Sequence, residues 1–322
     1  MKPRLTIAIP TYNRIENLKR SLQCVINDAK GKDVEVLISD NASTDGTDVY
    51  VRNIEKECSQ LKYYRREKND ECDANFLNCF KKAKGEYVLI LGDDDMILPG
   101  AVDSILDCIS QEPVAIYLNT SSLVSYNPLS YTSEKHAYQG YIEYSDKNLF
   151  LKHMGIYCTF ISALVFKVDL VRQLENVEKY MGTYILTSHI LFDTLKNKGK
   201  YIVNTFNCVA AQGNETVRYD VYQVWIKVYS ELLMIHGKEV GFDNTLLEEQ
   251  LNNDLNNTIY RFIIAYRISC KQQKRWNKEG IWEYITMFPE LVWKYRIIIY
   301  CPRICLIFGS KLRKMYRCLF KR

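Results

Sequence analysis

"EYVLILGDDDMILPG", residues 86–100, is the stretch from which the fold can be read. A run of β-formers, Tyr87 to Leu91, stops at Gly92. Three consecutive carboxylates follow, Asp93, Asp94 and Asp95, before the chain turns apolar and reaches Pro99-Gly100. A short apolar run of this kind reads as a buried strand. Three adjacent carboxylates at its end repel one another, and no Lys or Arg adjoins them in sequence. A hard divalent cation is one remedy, because Mg²⁺ and Mn²⁺ take oxygen ligands and bridge to phosphates with only one or two protein carboxylates. A solvated acidic turn, with Asp95 at a helix N-terminus, is the other.

Working outward, the first 120 residues alternate strand and helix patterns. "RLTIAIP" is a short apolar run, and "ENLKRSLQCVIND" places Leu18, Leu22, Val25 and Ile26 on one helical face, with Asn13 and Glu16 spaced as in a capping box. "VEVLIS" is a second strand, "TDVYVRNIEKEC" a helix and "LKYYR" a short strand. "DANFLNCFKKAKG" is a helix closed by Gly85, "PGAVDSILDCI" a helix opened by Pro99, and "PVAIYLN" another strand. Such alternation predicts an α/β domain around a mostly parallel, buried sheet. Ligands of such sheets bind beyond the carboxyl ends of the strands, where "PTYNR", "SDNASTDG" and "GDDD" all fall.

Past residue 120 the pattern loosens. Residues 120–145 read as loop, "FISALVF" as a strand, "TYILTSHILFDTLKN" (183–197) as a helix and "KYIVNTFNCVAAQG" as a strand. Helical patterns dominate from about residue 220, including "NTLLEEQLNNDLNNTIYRFIIAYRISCKQQK". The expected organisation is an α/β domain over 1–218, with a nucleotide-binding half (1–120) and an acceptor-binding half (121–218), then a helical region over 219–322.

The 322 residues suffice for a full core. Eleven cysteines would suit a disulfide framework, but "MKPRLTIAIPTYNR" is no signal peptide, so they read as reduced cytosolic thiols. Cys301 and Cys305 have no partners at zinc-site spacing. Nine Lys and Arg fall in residues 294–322 with no Asp or Glu, against a net charge of +5 for the whole chain, so the body is net acidic.

Three blocks, "TIAIPTYNRIENLKRSL", "VEVLISDNASTDGT" and "AKGEYVLILGDDDMILPGAV", together resemble the successive signatures of family 2 glycosyltransferases with the GT-A fold. The resemblance covers about residues 4–110, is loose over 160–216, and within the family is nearest to enzymes building bacterial O-antigens and capsules. It implies a nucleotide-sugar donor, UDP-linked by expectation, a divalent metal (Mn²⁺ or Mg²⁺), a glycan or lipid-linked acceptor, and an inverting reaction. It implies a nucleotide-pocket wall from Pro10, Thr11, Tyr12, Asn13, Arg14 and Glu16, with Asp40, beside Asn41, reading the base. An ionised Asp can accept from an imide N–H such as that of uracil; the alternative for Asp40 is a turn-forming residue before "NAST". Asp45 reads as turn and cap.

The family's usual first aspartate falls on Gly92, a departure. Asp94 then takes the metal-binding place, Asp95 beside it, and Asp93 is a further candidate. The family's base is a carboxylate on a later helix, often in a Glu-Asp pair. Here that helix carries no such pair. His189 and Asp193, four apart on one face, are the candidates, with a packed helix residue as the plainer account of His189. "QGNETVR" resembles the later loop over the diphosphate and brings Arg218 as a phosphate contact.

The tail mixes Trp, Tyr, Ile, Leu and Phe with Lys and Arg in runs too short to span a bilayer. It suits an interfacial helix on anionic lipid, at the inner face of the plasma membrane, rather than nucleic acid, with a helix docked on the body as the plainer account. Two rivals stay open: a nucleotidyltransferase, although "PTYNR" lacks a glycine-rich Lys-containing loop, and a GT-A scaffold retained for binding.

Overall fold

The computed structural model describes residues 2–123, 140–212, 219–269 and 276–310. The chain divides into two compact units, Met1–Glu215 and Thr216–Arg322.

The first unit is built on one mixed sheet in the order β3-β2-β1-β4-β8-β6-β9-β5, with β7 paired to β9. Its early strands are β1 (Leu5–Thr11), β2 (Val34–Asp40), β3 (Leu61–Arg65) and β4 (Tyr87–Ile90). They are mutually parallel, with Ile7 beside both Val36 and Leu89. Helices α1 (Ile15–Ala29), α2 (Thr47–Glu57) and α3 (Cys72–Lys82) connect them. β2 and β4 are buried throughout, which is why both read as unbroken apolar runs. α1 buries Leu18, Leu22 and Val25, while Ile26 is only partly buried against the same core.

β5 (Met96–Ile97), α4 (Ala101–Ile109), β6 (Ala115–Ser122), β7 (Tyr141–Tyr144) and α5 (Lys147–Met154) follow. The unit is completed by β8 (Leu164–Lys167), α6 (Val168–Arg172), α7 (Leu186–Thr194) and β9 (Tyr201–Ala211). Here only β6 and β9 pair in parallel; β8 runs antiparallel to both β4 and β6, and β9 antiparallel to β5 and β7. The sheet is therefore mixed rather than mostly parallel, with the parallel pairing concentrated in its first half. β7 lies inside the stretch expected to be loop.

Two local expectations change. Gly85 does not close α3, whose last turn is completed by Ala83 N–H donating to Cys79 O. The glycine is required because a Cβ there would lie 2.6 Å from Thr6 N and 2.7 Å from Leu5 C, inside the backbone of β1. Asn13 and Glu16 form no capping box: α1 begins without a side-chain cap from its N-cap residue. Asp45 Oδ2 instead accepts from Ile15 N–H at 2.9 Å, while Oδ1 accepts from the Thr47 hydroxyl at 2.6 Å. One aspartate thus serves the starts of both α1 and α2.

The second unit is helical where described. A helical stretch with π-type turns at Gln223–Val228 and Leu232–Gly237 is followed by Asn244–Asn256, Thr258–Ser269, Ile281–Ile285 and Pro289–Tyr300. The segment expected as one long helix after Asn244 breaks at Asn257, whose side chain donates back to Asn253 O.

Candidate active site

β1 is the point from which this sheet winds both ways: the chain passes from it to β2 on one side, and β4 returns on the other. The crevice between β1 and β4 is therefore the place where loops splay apart and a ligand fits. The first and third sequence blocks meet there. Thr11 Oγ1, at the end of β1, donates to Asp93 Oδ2 at 2.8 Å. Arg14 forks across the carboxylates, Nη1 2.7 Å from Asp93 Oδ1 and Nη2 2.6 Å from Asp94 Oδ2. The counter-charge absent from the neighbouring sequence thus comes from 80 residues upstream. A planar guanidinium suits two adjacent carboxylates better than a point charge does.

The three aspartates have different surroundings. The Asp94 side chain keeps 14 % of its surface exposed, that of Asp93 only 5 %. Asp95 is buried, and both its oxygens are engaged: Oδ2 accepts from the Ser162 hydroxyl at 2.5 Å and Oδ1 from Gln212 N–H at 2.9 Å. Burial is the largest influence on its carboxyl and pushes it up to about 7, with Asp94 and Asp93 adding to the rise. Gly92 accounts for the missing first aspartate, because a Cβ there would sit 2.9 Å from Asp95 Oδ2 and 3.2 Å from Asp94 Oδ1. Ser162, which closes this arrangement by also accepting from Gly92 N–H, carried no signal in the sequence beyond lying in an apolar run.

A hard divalent cation fits the chemistry of Asp93 and Asp94, which offer only oxygen. Among the described residues no group of three or more His, Cys, Asp or Glu is placed to hold one by itself. One or two carboxylates completed by substrate phosphates is the arrangement Mg²⁺ and Mn²⁺ accept.

The second block meets the first on the same rim. Asn13 has a left-handed backbone (φ 51°). Its N–H donates to Ser43 Oγ, and its Oδ1 accepts from Thr44 N–H at 2.7 Å. Asp40, the last residue of β2, has no exposed surface. Oδ1 accepts from Ser43 N–H at 2.9 Å and Oδ2 from the Tyr63 hydroxyl at 2.6 Å. The turn-forming geometry is thus present at Asp40, and Tyr63 joins it as a partner found only by tertiary pairing. Asn41 is tied to Asn69, Asp70 and Arg66. Pro10 pairs with Ser39 across β1 and β2, and Tyr12 is half-buried. Glu16 is exposed and bonded to Lys19 at 2.7 Å, away from the carboxylates.

His189 and Asp193 lie on α7, every residue of which is buried. Five of its nine residues are polar, so burial on every side, not apolar composition, makes it a core helix. It is shorter than its apolar pattern suggested, because Tyr184 takes a left-handed backbone (φ 62°) just before it. Tyr180 gathers both candidates: its ring stacks on His189 with centroids 4.3 Å apart, and its hydroxyl donates to Asp193 Oδ2 at 2.8 Å. Lys196 Nζ takes Asp193 Oδ1 at 2.6 Å. The loop before α7 is held by Asp73 of α3, whose Oδ2 accepts from Gly182 N–H at 2.8 Å and Tyr184 N–H at 3.3 Å. Burial raises the Asp73 carboxyl to about 6. Arg218 lies outside the described residues.

Over 119 residues the chain is 38 % identical to abequosyltransferase RfbV of Salmonella typhimurium, covering 35 % of this chain and 34 % of that protein. Over 105 residues it is 32 % identical to GalNAc(5)-diNAcBac-PP-undecaprenol beta-1,3-glucosyltransferase of Campylobacter jejuni, covering 32 % of this chain and 34 % of that protein. The chain thus spans about a third of the length of these curated relatives. In structure it is similar to S. aureus TarS in complex with UDP-GlcNAc, with a TM-score of 0.61 at 13 % identity, over 90 % of this chain and 81 % of that one. At that identity the likeness is one of fold, the GT-A form of α/β. The model of glycosyl transferase family 2 matches residues 6–172, just over half of the chain, and the chain belongs to that family.

Proposed function

We propose that the chain is an inverting glycosyltransferase that moves a sugar from a UDP-sugar to a glycan or lipid-linked glycan during cell-surface polysaccharide assembly, at the inner face of the plasma membrane. The observation that carries this reading is the junction of Thr11, Arg14, Asp93 and Asp94 in the crevice between β1 and β4. The names of the Salmonella and Campylobacter relatives support the polysaccharide and lipid-linked acceptor classes. The UDP-GlcNAc complex of TarS supports the donor.

Asp94, the more exposed carboxylate, would hold the divalent metal, with Asp93 beside it. Asp95, engaged by Ser162 and Gln212, then acts by fixing the turn rather than as a ligand. A bound Mn²⁺ or Mg²⁺ supplies charge stabilisation at the diphosphate leaving group. Arg14 relieves the repulsion between Asp93 and Asp94 and adds positive charge at the same rim. Asp40, fully buried with both oxygens engaged, would read the base by exchanging the Tyr63 hydroxyl for the base edge. In the reaction the acceptor oxygen attacks the anomeric carbon as the C–O bond to the diphosphate breaks, and the hydroxyl proton passes to a base. His189 is the proposed base, since both oxygens of Asp193 already serve Tyr180 and Lys196.

Calorimetric titration of UDP with and without Mn²⁺, in wild type and Asp94→Asn, tests the reading. Mn²⁺ should tighten binding in wild type only. Equal affinity in all four titrations removes the metal from the proposal.

A further inference from the structure

The second unit leaves an apolar stripe uncovered. On the helix Pro289–Tyr300, one face is spent on the core through Leu291, Tyr295, Ile298 and Ile299. Another face, spaced i, i+4, i+7, presents Trp293, Ile297 and Tyr300, which are 70 %, 40 % and 58 % exposed. After the break at Cys301-Pro302, the helical segment 303–310 exposes two further apolar side chains, Ile304 and Phe308, 75 % and 64 % exposed. Trp282 lies parallel to Tyr300, ring centroids 6.2 Å apart, and with Trp293 and Ile297 they line a groove of about 740 Å³. A patch of this kind marks an interaction surface rather than ordinary surface scatter.

The charge around the patch points to its partner. Residues 291–310 contain Lys294, Arg296 and Arg303 and no Asp or Glu. Arg296 lines the groove, and Lys278 Nζ stands 4.5 Å over the Tyr300 ring. Glu290, the acidic residue nearest along the chain, accepts from Asn252. Amphipathic aromatic rings beside Lys and Arg match the boundary between lipid headgroups and acyl chains, where rings are buried and cations meet phosphates. No helix of the described residues is long and apolar enough to cross a membrane, so the matching mode is to lie along the surface.

We infer that this face docks on an anionic lipid bilayer, with Trp293, Tyr300, Ile304 and Phe308 entering the headgroup boundary and Lys278 and Arg296 meeting lipid phosphates. The inference deepens the reading of a membrane-borne acceptor. It names the surface and the lipid chemistry that would bring the enzyme to that acceptor.

Co-sedimentation of the full chain tests it, using phosphatidylcholine vesicles with and without phosphatidylglycerol. Wild type should sediment with the mixed vesicles, less so as salt is raised. Trp293→Glu and Phe308→Glu, both at exposed positions, should keep the thermal unfolding of wild type and each weaken vesicle binding about tenfold or more, the scale of one large apolar side chain leaving an apolar medium. Brominated acyl chains should quench Trp fluorescence in wild type and quench it less in Trp293→Phe. No sedimentation of wild type with either vesicle, or equal sedimentation of wild type and Trp293→Glu, overturns the inference. So does a lipid-free dimer that Trp293→Glu abolishes, which would assign the face to a second copy. UDP titration of the same samples keeps the two readings apart: intact UDP binding with no vesicle binding removes only the docking surface, and the converse removes only the donor site.

Discussion

The rim of the parallel half and the helix α7 are both offered as parts of one site, yet they are held in opposite ways. On the rim, polar groups from sequence-distant blocks are bonded to one another: Thr11 and Arg14 to Asp93 and Asp94, Asn13 to Ser43 and Thr44, Asp45 to Ile15. On α7 the two candidate groups are held nearby, by Tyr180 and Lys196. The difference teaches that a carboxylate cluster at a strand end must find its partners across the crevice. A buried helix can instead hold its Asp from its own approach loop and the residues just after its end, and stack its His on the same tyrosine.

The sharpest break in that comparison is at α7. His189→Ala should lower turnover about 10²–10⁴-fold, the usual contribution of a general base, and leave UDP affinity unchanged. If Asp193→Asn loses turnover while His189→Ala keeps it, the roles are exchanged; if both keep it, α7 carries no base. On the rim, Asp94→Asn should cost about 10²–10³-fold in turnover, comparable to removing one stabilising group from a developing charge. It should also abolish the Mn²⁺ effect on UDP binding. Asp95→Asn should leave the Mn²⁺ effect in place, which separates the exposed carboxylate from the buried one.

Asp73, on α3, holds the loop before α7, and its raised carboxyl gives a pH test. Its folded value of about 6 lies above the unfolded value of about 3.9, so the folded state holds the proton more tightly. The stability from that proton is fully present below about pH 4 and is lost as pH rises through about 6. A shift of this size corresponds to about 2–3 kcal/mol over that window. Denaturant unfolding of Asp73→Asn should show a flatter pH dependence than wild type between pH 4 and 7. An unchanged slope would show that burial does not raise the Asp73 carboxyl.

At Asp40 the two functions of one carboxylate can be set apart. Losing a charged hydrogen bond to a nucleobase should cost about 1.5–3 kcal/mol of UDP affinity in Asp40→Ala. Tyr63→Phe, which frees Oδ2 from one of its internal partners and leaves the Ser43 bond to Oδ1, should keep or improve that affinity. If Asp40→Ala binds UDP as wild type does, Asp40 is a turn former alone.

Much of the first half was legible in the sequence. Continuous apolar runs ending in polar clusters fix buried parallel strands, and strand–helix alternation fixes their direction, so "PTYNR", "SDNASTDG" and "GDDD" had to share a rim. Helix α1 was equally plain, its apolar spacing matching the buried Leu18, Leu22 and Val25. What sequence determined, then, is which segments pair and which loops converge, because backbone periodicity and burial are local properties. The tertiary structure decided which side chains meet. Arg14 neutralises carboxylates that lie 80 residues away. Ser162 and Gln212 take Asp95, Tyr63 reaches Asp40 from the next strand, and the carboxylates of Asp94 and Asp95 crowd the space a side chain at residue 92 would enter. Those outcomes depend on distances between elements set by packing, and no spacing along the chain records them.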